Sequence, residues 1–171
     1  PYPSELEEEV VLADGRKLLL RPVRPEDEPA FQRGFSRLTP EEIHLRFFVP
    51  MKTLSHVVAA RFTQIDYDRE MALVLTEEGL AGKAEIYGVV RIAADPDGET
   101  AEFAIIVGSE MTGQGIGLYM LKRIIAYARK RGLRDQQVAQ HGPHQVEAEH
   151  QRHGEVERLG RDRHLRHAAR R

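Results

Sequence analysis

Five short segments of the chain are rich in apolar, β-prone residues, and apolar and polar residues alternate in the first two of them, which predicts β-strands. These strands are predicted over residues 8–12, 17–21, 70–75, 85–94 and 100–107. The first two flank the pair Asp14-Gly15, and an Asp-Gly pair between alternating segments predicts a hairpin. Turns rich in glycine and aspartate separate the later strands, near residues 79–82 and 95–98.

Four other segments begin with residues that start helices. Pro25, Thr39 with Pro40, and Ser55 are such signals, because proline fits the first turn and hydroxyls cap free N–H groups. They predict helices over residues 25–38, from residue 40 onward, and over 55–63. A fourth, amphipathic helix is predicted over 115–131, with Gly132 as its left-handed C-terminal cap.

The predicted elements follow one another in the order β-β-α-α-α-β-β-β-α. This order favours an α/β fold in which a mixed sheet carries helices on its faces. A chain of 171 residues is long enough for one such domain with a core of its own.

A glycine-rich turn joins the last predicted strand to the last predicted helix. Gly113, Gly115 and Gly117 lack Cβ atoms, so the backbone there can pass close to a ligand. The unpaired N–H groups and the positive dipole end of the following helix face this turn. A phosphate or pyrophosphate is the ligand that such a helix start prefers.

Three alternatives for this turn differ in the residues that they require. A P-loop requires Lys-Ser or Lys-Thr at the helix start, where this chain has Leu118 and Tyr119. The dinucleotide-binding pattern requires a third glycine at an offset that this chain lacks. A tight turn that holds no ligand is the third alternative, and it stays open.

The turn resembles the cofactor loop of the GNAT acetyltransferases, Gln/Arg-x-x-Gly-x-Gly/Ala, which cradles the pyrophosphate of acetyl-CoA. Gly115 and Gly117 take its two small positions, and Thr112 departs from the usual glutamine or arginine. The resemblance implies a GNAT-like acyl-CoA N-acyltransferase fold with acetyl-CoA as co-substrate. It places the cofactor contacts at Ile105, Ile106, Val107, Thr112, Gly113, Gln114, Gly115, Ile116 and Gly117.

Two upstream segments, 14–48 and 63–74, resemble one GNAT subgroup, the bacterial protein-lysine acetyltransferases. Members of this subgroup occur alone or fused behind acyl-CoA synthetase-like domains. An Ala-Glu-Phe/Ile-Ala strand precedes their glycine loop, as residues 101–104 do here. The resemblance covers about residues 8–134 and implies that Glu102 is the general base.

Acetyl transfer to lysine requires a base, because the amine has a pKa of about 10.4 and must lose a proton before it attacks. Glu102 lies between apolar neighbours, and desolvation strengthens a carboxylate as a base. The thioester is expected along residues 102–107, where the amides of Ile106 and Val107 can polarise its carbonyl. The alternative is that Glu102 is a solvated strand residue without a chemical role.

Two other polar groups leave more than one interpretation open. Tyr119, in the first turn of the predicted cofactor helix, is expected to pack or to touch the cofactor rather than to act as an acid. Asp66 and Asp68, on either side of Tyr67, form either an acidic loop that receives a basic acceptor or an aspartate-rich turn.

Composition narrows the expected partners and compartment. The 25 basic and 27 acidic residues give a net charge of −2, so no overall field favours nucleic acid. No apolar segment approaches the ~20 residues that span a bilayer, and no signal-peptide pattern opens the chain. With no cysteine there is no thiolate metal site, and no metal is expected. These features predict a cytoplasmic protein without nucleic-acid or membrane partners, in which residues 1–7 are a linker or a trimmed N-terminus.

Residues 136–171 differ in composition from the rest of the chain. They hold six of the eight histidines, together with seven arginines and five glutamines. Their valines and leucines are too sparse for a core strand, so the strand that follows the cofactor helix in GNAT enzymes is not predicted. We therefore expect the domain to span residues 8–135, and we hypothesise that 136–171 is a frameshifted, solvated tail.

The sequence thus predicts an acetyl-CoA-dependent N-acetyltransferase that acts on protein lysine, for example on an acyl-CoA synthetase, by direct transfer. A small-amine acetyltransferase is the second prediction within the enzyme class. A non-catalytic module that senses acyl-CoA or binds a partner is the alternative outside it, favoured by Thr112 and the atypical tail.

Overall fold

The computed structural model describes residues 1–47, 51–94, 96, 100–111 and 113–140, without the side chains of residues 44–47, 100, 102 and 134–140. The strands are β1 (Glu8–Val11), β2 (Lys17–Pro22), β3 (Glu70–Glu77), β4 (Ile86–Ala94), β5 (Thr100–Val107) and β6 (Arg134–Gln140). The helices are α1 (Glu28–Ser36), α2 (Pro40–Phe47), α3 (His56–Thr63) and α4 (Ile116–Lys130). The predicted order of elements through α4 is confirmed.

The strands form one mixed sheet in chain order, from β1 at one edge to β6 at the other. The first five strands pair antiparallel, and β6 runs parallel to β5. The predicted hairpin joins β1 to β2, and Gly15 at its tip has a φ of 87°, which glycine adopts without strain. One bulge lies where β4 has Tyr87 as an extra residue opposite β3.

Helices cover both faces of this sheet. α4 packs on one face over an apolar cluster that includes Leu20, Leu75 and Val90. α1 and α3 lie on the other face, where Ala72 and Val74 of β3 meet Val23 and Ala30 in a smaller cluster. Alternating residues of the buried strands therefore supply two separate cores, which is why those strands are apolar throughout.

Successive described residues of β5 face opposite sides of the sheet. Phe103, Ile105 and Val107 are buried in the α4-side cluster. Ala104 and Ile106, between them in sequence, are half-buried, as residues on the opposite face of a strand would be. β5 thus packs under α4 with one face, borders the α1 side of the sheet with the other, and lies between β4 and β6.

Capping residues begin two helices where the sequence predicted. Thr39 Oγ1 accepts a hydrogen bond from the Glu42 amide at 3.2 Å, and Glu42 Oε2 accepts one from the Thr39 amide at 2.7 Å. Ser55 Oγ accepts from the Val58 amide at 3.3 Å. The first helix is shorter than predicted, because Pro25–Asp27 forms a 3₁₀ turn before α1 begins.

The prediction that no strand follows α4 is wrong. Residues 134–140 form β6, with Phe103 opposite Val138 and Ala104 opposite Ala139. Main-chain hydrogen bonds to the free edge of β5 hold such a strand, and they place little demand on side-chain composition. β6 runs past the domain boundary predicted at residue 135, whereas the tail predictions for residues 141–171 lie outside the described residues.

A buried ion pair fixes the start of α1 to the sheet. The Arg21 guanidinium of β2 donates two hydrogen bonds to the Asp27 carboxylate, at 2.7 and 2.8 Å, and both residues are buried. Asp27 also accepts from the Arg24 amide at 2.8 Å. This pair sets where α1 crosses β3 and β4, and so positions one wall of a cavity between the helices and the sheet.

Candidate active site

The turn between β5 and α4 has left-handed backbone at two of its glycines. Gly113 has a φ of 81° and Gly115 a φ of 74°. A Cβ atom added at either position would meet no atom within 4 Å, so both face open space. α4 begins at Ile116 with Gly115 as its N-cap, and no side chain caps its first N–H groups. These groups are therefore available to an anion in that open space.

The predicted cofactor residues of this turn divide into two groups. Gly113, Gln114 and Gly115 are exposed, and both backbone and side chain can meet a ligand. Ile116 and Gly117 are buried, and the Ile116 side chain packs into the α4-side cluster, so only their backbone N–H groups remain for binding. Thr112 lies outside the described residues.

β5 brings the remaining predicted residues next to the turn. Glu102 lies opposite Ala93 of β4, and its side chain lies outside the described part of the chain. On the β6 side the register shifts at Glu102, because Ala101 pairs with Asp135 and Phe103 with Val138. Within the described residues the pairing with β6 ends at Ile105, so Ile106 and Val107 have no partner there. Within the described residues, only the Ile106–Val107 end of the stretch where a thioester was predicted to lie thus has backbone groups free on the β6 side.

A cavity of about 300 Å³ lies on the opposite face of the sheet from α4. It is lined by residues of α1, α2, α3, β4 and β5, opens to solvent, and reaches the residues just before the glycine turn. Its lining residues are mostly apolar, with four charged groups among them: Ala30, Phe31, Gly34, Phe35, Arg37, Leu38, Glu42, Leu54, Phe62, Ile86, Tyr87, Gly88, Val89, Arg91, Ile106, Gly108, Ser109 and Glu110.

Arg91 places a paired positive charge in the wall of this cavity. Its guanidinium donates to Glu70 Oε2 at 2.6 Å and to the Phe62 carbonyl, and it lies 5.0 Å from the centre of the Phe62 ring. Burial lowers the pKa of Arg91, and the Glu70 carboxylate opposes that shift. Because Arg91 lies opposite Ala104 of β5, it ties α3 and β3 to the strand that carries Glu102.

The other three charged residues of the lining differ in how they are partnered. Arg37 donates to Glu85 at 2.6 Å, and Glu42 is held by the Thr39 amide in the cap of α2. Glu110 has no hydrogen bond or salt bridge within the described residues. Its carboxylate lies over Gly108, since a Cβ atom built there would be 2.6–2.7 Å from it.

The structure places Tyr119 and the loop around Asp66 away from this cavity's lining. Tyr119 is half-buried against the α4-side cluster, and burial together with the nearby Glu8 carboxylate raises its pKa to about 12. The loop around Asp66 is a hydrogen-bonded turn in which Asp66 Oδ1 accepts from the Asp68 amide at 3.0 Å. Tyr67 in that turn donates to the Val23 carbonyl at 2.5 Å.

Sequence reasoning did not single out Arg91, Glu70 or Glu110. The sequence does contain a signal for Arg91, because it is the one charged residue in the apolar strand IYGVVRIAA. The other two had none, since their roles depend on contacts made across the fold.

Comparison with known proteins supports the α/β N-acyltransferase fold that the sequence predicts. A mixed sheet that leads through a glycine turn into a helix is the arrangement expected of an N-acyltransferase fold. The acetyltransferase (GNAT) domain family matches residues 17–153, and the chain belongs to this family. This confirms the fold and the enzyme class predicted from the sequence, and the match extends past the boundary predicted at residue 135.

Three relatives illustrate the range of similarity. An acetyltransferase of Pseudomonas aeruginosa is 32% identical over 124 residues, which make up 72% of this chain. The GNAT domain of S. lividans PAT is 30% identical, with a TM-score of 0.66 over 78% of each chain. RimL, a ribosomal L7/L12 alpha-N-protein acetyltransferase solved with coenzyme A, is 17% identical with a TM-score of 0.51, covering 67% of this chain and 65% of its own, and shows the fold alone.

The chain spans 66% of the length of the curated P. aeruginosa relative. Among the described residues, no group of three or more metal-ligating side chains is placed to hold an ion. Within the same residues, no helix has the length and apolar character needed to cross a membrane.

The glycine turn yields a prediction with a control in the same helix. Gly115→Ala is expected to weaken acetyl-CoA binding about tenfold, because the methyl group enters the ligand space and strains a left-handed residue. The control is Gly132→Ala at the other end of α4, because Gly132 also has a left-handed φ, 76°, and an added Cβ there would meet no atom within 4 Å. Both variants should lose similar stability in thermal unfolding, whereas only Gly115→Ala should change the Kd measured by calorimetry. Equal Kd values for the two variants would show that the turn does not hold the cofactor.

Proposed function

We propose that the protein transfers the acetyl group of acetyl-CoA directly to an amine, and that the physiological acceptor is a lysine side chain of a protein. The observation that supports this most strongly is the turn at Gly113–Gly115, whose left-handed glycines leave open space in front of the uncapped start of α4. Membership of the GNAT family supports acetyl-CoA as the donor.

The proposed reaction uses β5 to hold the donor and a carboxylate to prepare the acceptor. The pyrophosphate of acetyl-CoA binds at the turn, and its pantetheine arm runs along the backbone of Ile106 and Val107. Glu102 takes a proton from the acceptor ammonium, directly or through water. The neutral amine then forms a bond to the thioester carbon and the C–S bond breaks. The nitrogen, positively charged after the attack, loses its second proton to the coenzyme A thiolate, which leaves as a thiol.

Backbone amides supply the electrostatic part of the proposal. As the nitrogen attacks, negative charge develops on the thioester oxygen, and N–H groups already in place can stabilise it. Within the described residues, Ile106 and Val107 lie beyond the last β5–β6 pair, at Ile105 and Gln140. No covalent acetyl-enzyme is needed, since the amine reaches the thioester directly.

That the acceptor is a protein lysine is the more specific part of the proposal. The resemblance of segments 14–48 and 63–74 to the protein-lysine subgroup supports it, as does the similarity to the GNAT domain of S. lividans PAT. An acyl-CoA synthetase is the acceptor that this subgroup suggests. The cavity favours a second candidate, a small amine, because 300 Å³ can enclose much of a small ligand.

Calorimetry tests the donor site before any acceptor is known. The purified chain is expected to bind acetyl-CoA and coenzyme A and not NAD, because the turn fits a pyrophosphate beside a pantetheine arm and lacks the dinucleotide glycine pattern. Absence of acetyl-CoA binding would contradict the proposal. Once binding is established, acetylation of a synthetase lysine against that of free small amines separates the two acceptor classes.

A further inference from the structure

The lining of the cavity between α1, α3 and the sheet includes one exposed carboxylate, Glu110, that has no structural partner among the described residues. Arg91 is paired with Glu70, Arg37 with Glu85, and Glu42 with the cap of α2. Each of these charges therefore has a structural partner. Glu110 has none within the described part of the chain, and its carboxylate lies over Gly108 at the end of β5.

We propose that Glu110 is a positioning residue for the acceptor, which binds the ammonium of an amine whose apolar arm occupies this cavity. The inference rests on the proposed function and names the acceptor chemistry at that site: a primary amine at the end of an unbranched alkyl chain, as in lysine. Glu110 takes no proton in the reaction, and that step stays with Glu102.

The cavity walls match the apolar part of such an acceptor. Phe31 and Phe35 of α1 and Leu54 just before α3 form one side, and Ile86 and Ile106 form part of its sheet side. A methylene arm buried between them loses contact with water, which favours binding in proportion to its apolar area. A short amine such as glycinamide lacks this arm.

The position of Glu110 brings the amine to the donor strand. Ile106 belongs to both the cavity lining and the stretch of β5 where the thioester is expected. Glu110 lies four residues further, in the short 3₁₀ turn Ser109–Met111 that leads to the glycine turn. An ammonium held by Glu110 thus lies beside the end of β5 that leads to the glycine turn, and the negative charge of Glu110 attracts the protonated amine.

Kinetics with Nα-acetyl-lysinamide as acceptor test this role. Glu110→Gln is expected to raise the KM for this amine about fivefold, the size of effect expected for a partly exposed ion pair, and to leave kcat unchanged. The KM for acetyl-CoA should not change. The matched control is Glu78→Gln, which removes the same charge from an exposed residue outside the cavity lining and should leave every constant unchanged. An unchanged KM in Glu110→Gln, or a fall in kcat instead, would overturn the proposal.

A binding experiment tests the same inference without turnover. Titration of the chain with n-pentylamine, followed by NMR of isoleucine methyl groups, should shift the signals of Ile86 and Ile106. Ile92 and Ile124 pack in the α4-side cluster and should not shift. Glu110→Gln should bind n-pentylamine more weakly than the parent chain, and added salt should weaken binding by the parent chain. The inference is refuted if Ile86 and Ile106 do not shift, or if Glu110→Gln binds n-pentylamine as tightly as the parent chain, even where acetyl-CoA binds. Failure of the donor proposal is a different result, since it appears only in the acetyl-CoA calorimetry.

Discussion

In a Glu102→Gln variant, kcat for acetyl transfer to a lysine acceptor is expected to fall by about 10²- to 10⁴-fold. Glutamine has the shape of glutamate but cannot accept the proton that the ammonium must lose. The Kd for acetyl-CoA should stay the same, because the pyrophosphate contacts are placed at the glycine turn. Steady-state rates and calorimetry on the same preparation measure the two quantities.

The dependence of this loss on pH separates a missing base from a damaged fold. As the pH approaches the lysine pKa of about 10.4, more of the acceptor is already neutral and the requirement for a base declines. The ratio of parent to variant kcat should therefore shrink with rising pH, whereas a misfolded variant would show a constant ratio. Glu78→Gln serves again as the charge-matched control, with no change in kcat.

The same variant decides between the enzyme and the sensing module. A sensor of acyl-CoA would bind its ligand with or without the Glu102 carboxylate and show no turnover in either form. A kcat that is measurable and equal in the parent and Glu102→Gln chains would instead mean that another group, or water alone, removes the proton.

Local sequence signals were sufficient for most of the fold. The Asp14-Gly15 hairpin, the Thr39 and Ser55 caps and the Gly132 terminator each act through neighbours within a few residues. The glycine turn is also a local signal, because glycine adopts a left-handed φ without strain whatever its tertiary contacts. For this reason the backbone part of the candidate site could be predicted before the fold was known.

β6 and the cavity could not be predicted in this way. β6 forms on the free edge of β5, and the signal for it lies in a partner strand 34 residues away, since Arg134 pairs with Thr100. The cavity depends on how α1 and α3 are held above β4 and β5. Arg91 stood out as a charge in an apolar strand, but its partners Glu70 and the Phe62 carbonyl become visible only in three dimensions.

The buried Arg21–Asp27 pair helps to shape that cavity, since it fixes the start of α1. Asp27→Ala is expected to lower the free energy of unfolding by about 3–5 kcal/mol, because it leaves the Arg21 guanidinium buried without its partner. Urea unfolding followed by circular dichroism measures this. The exposed pair Lys17–Glu9, with its charged atoms 3.6 Å apart, gives the control: Glu9→Ala should cost less than about 1 kcal/mol.

A double variant identifies the cause of the loss in Asp27→Ala. Replacing both partners, Arg21→Met with Asp27→Leu, removes the uncompensated charge and keeps apolar volume, so most of the lost stability should return. Full recovery is not expected, because the Arg24 amide still loses the acceptor that Asp27 provides at 2.8 Å. If the double variant were as unstable as Asp27→Ala, the penalty would come from lost packing at the start of α1 rather than from a buried unpaired guanidinium. The cavity wall would then depend on the shape of that side chain and not on its charge.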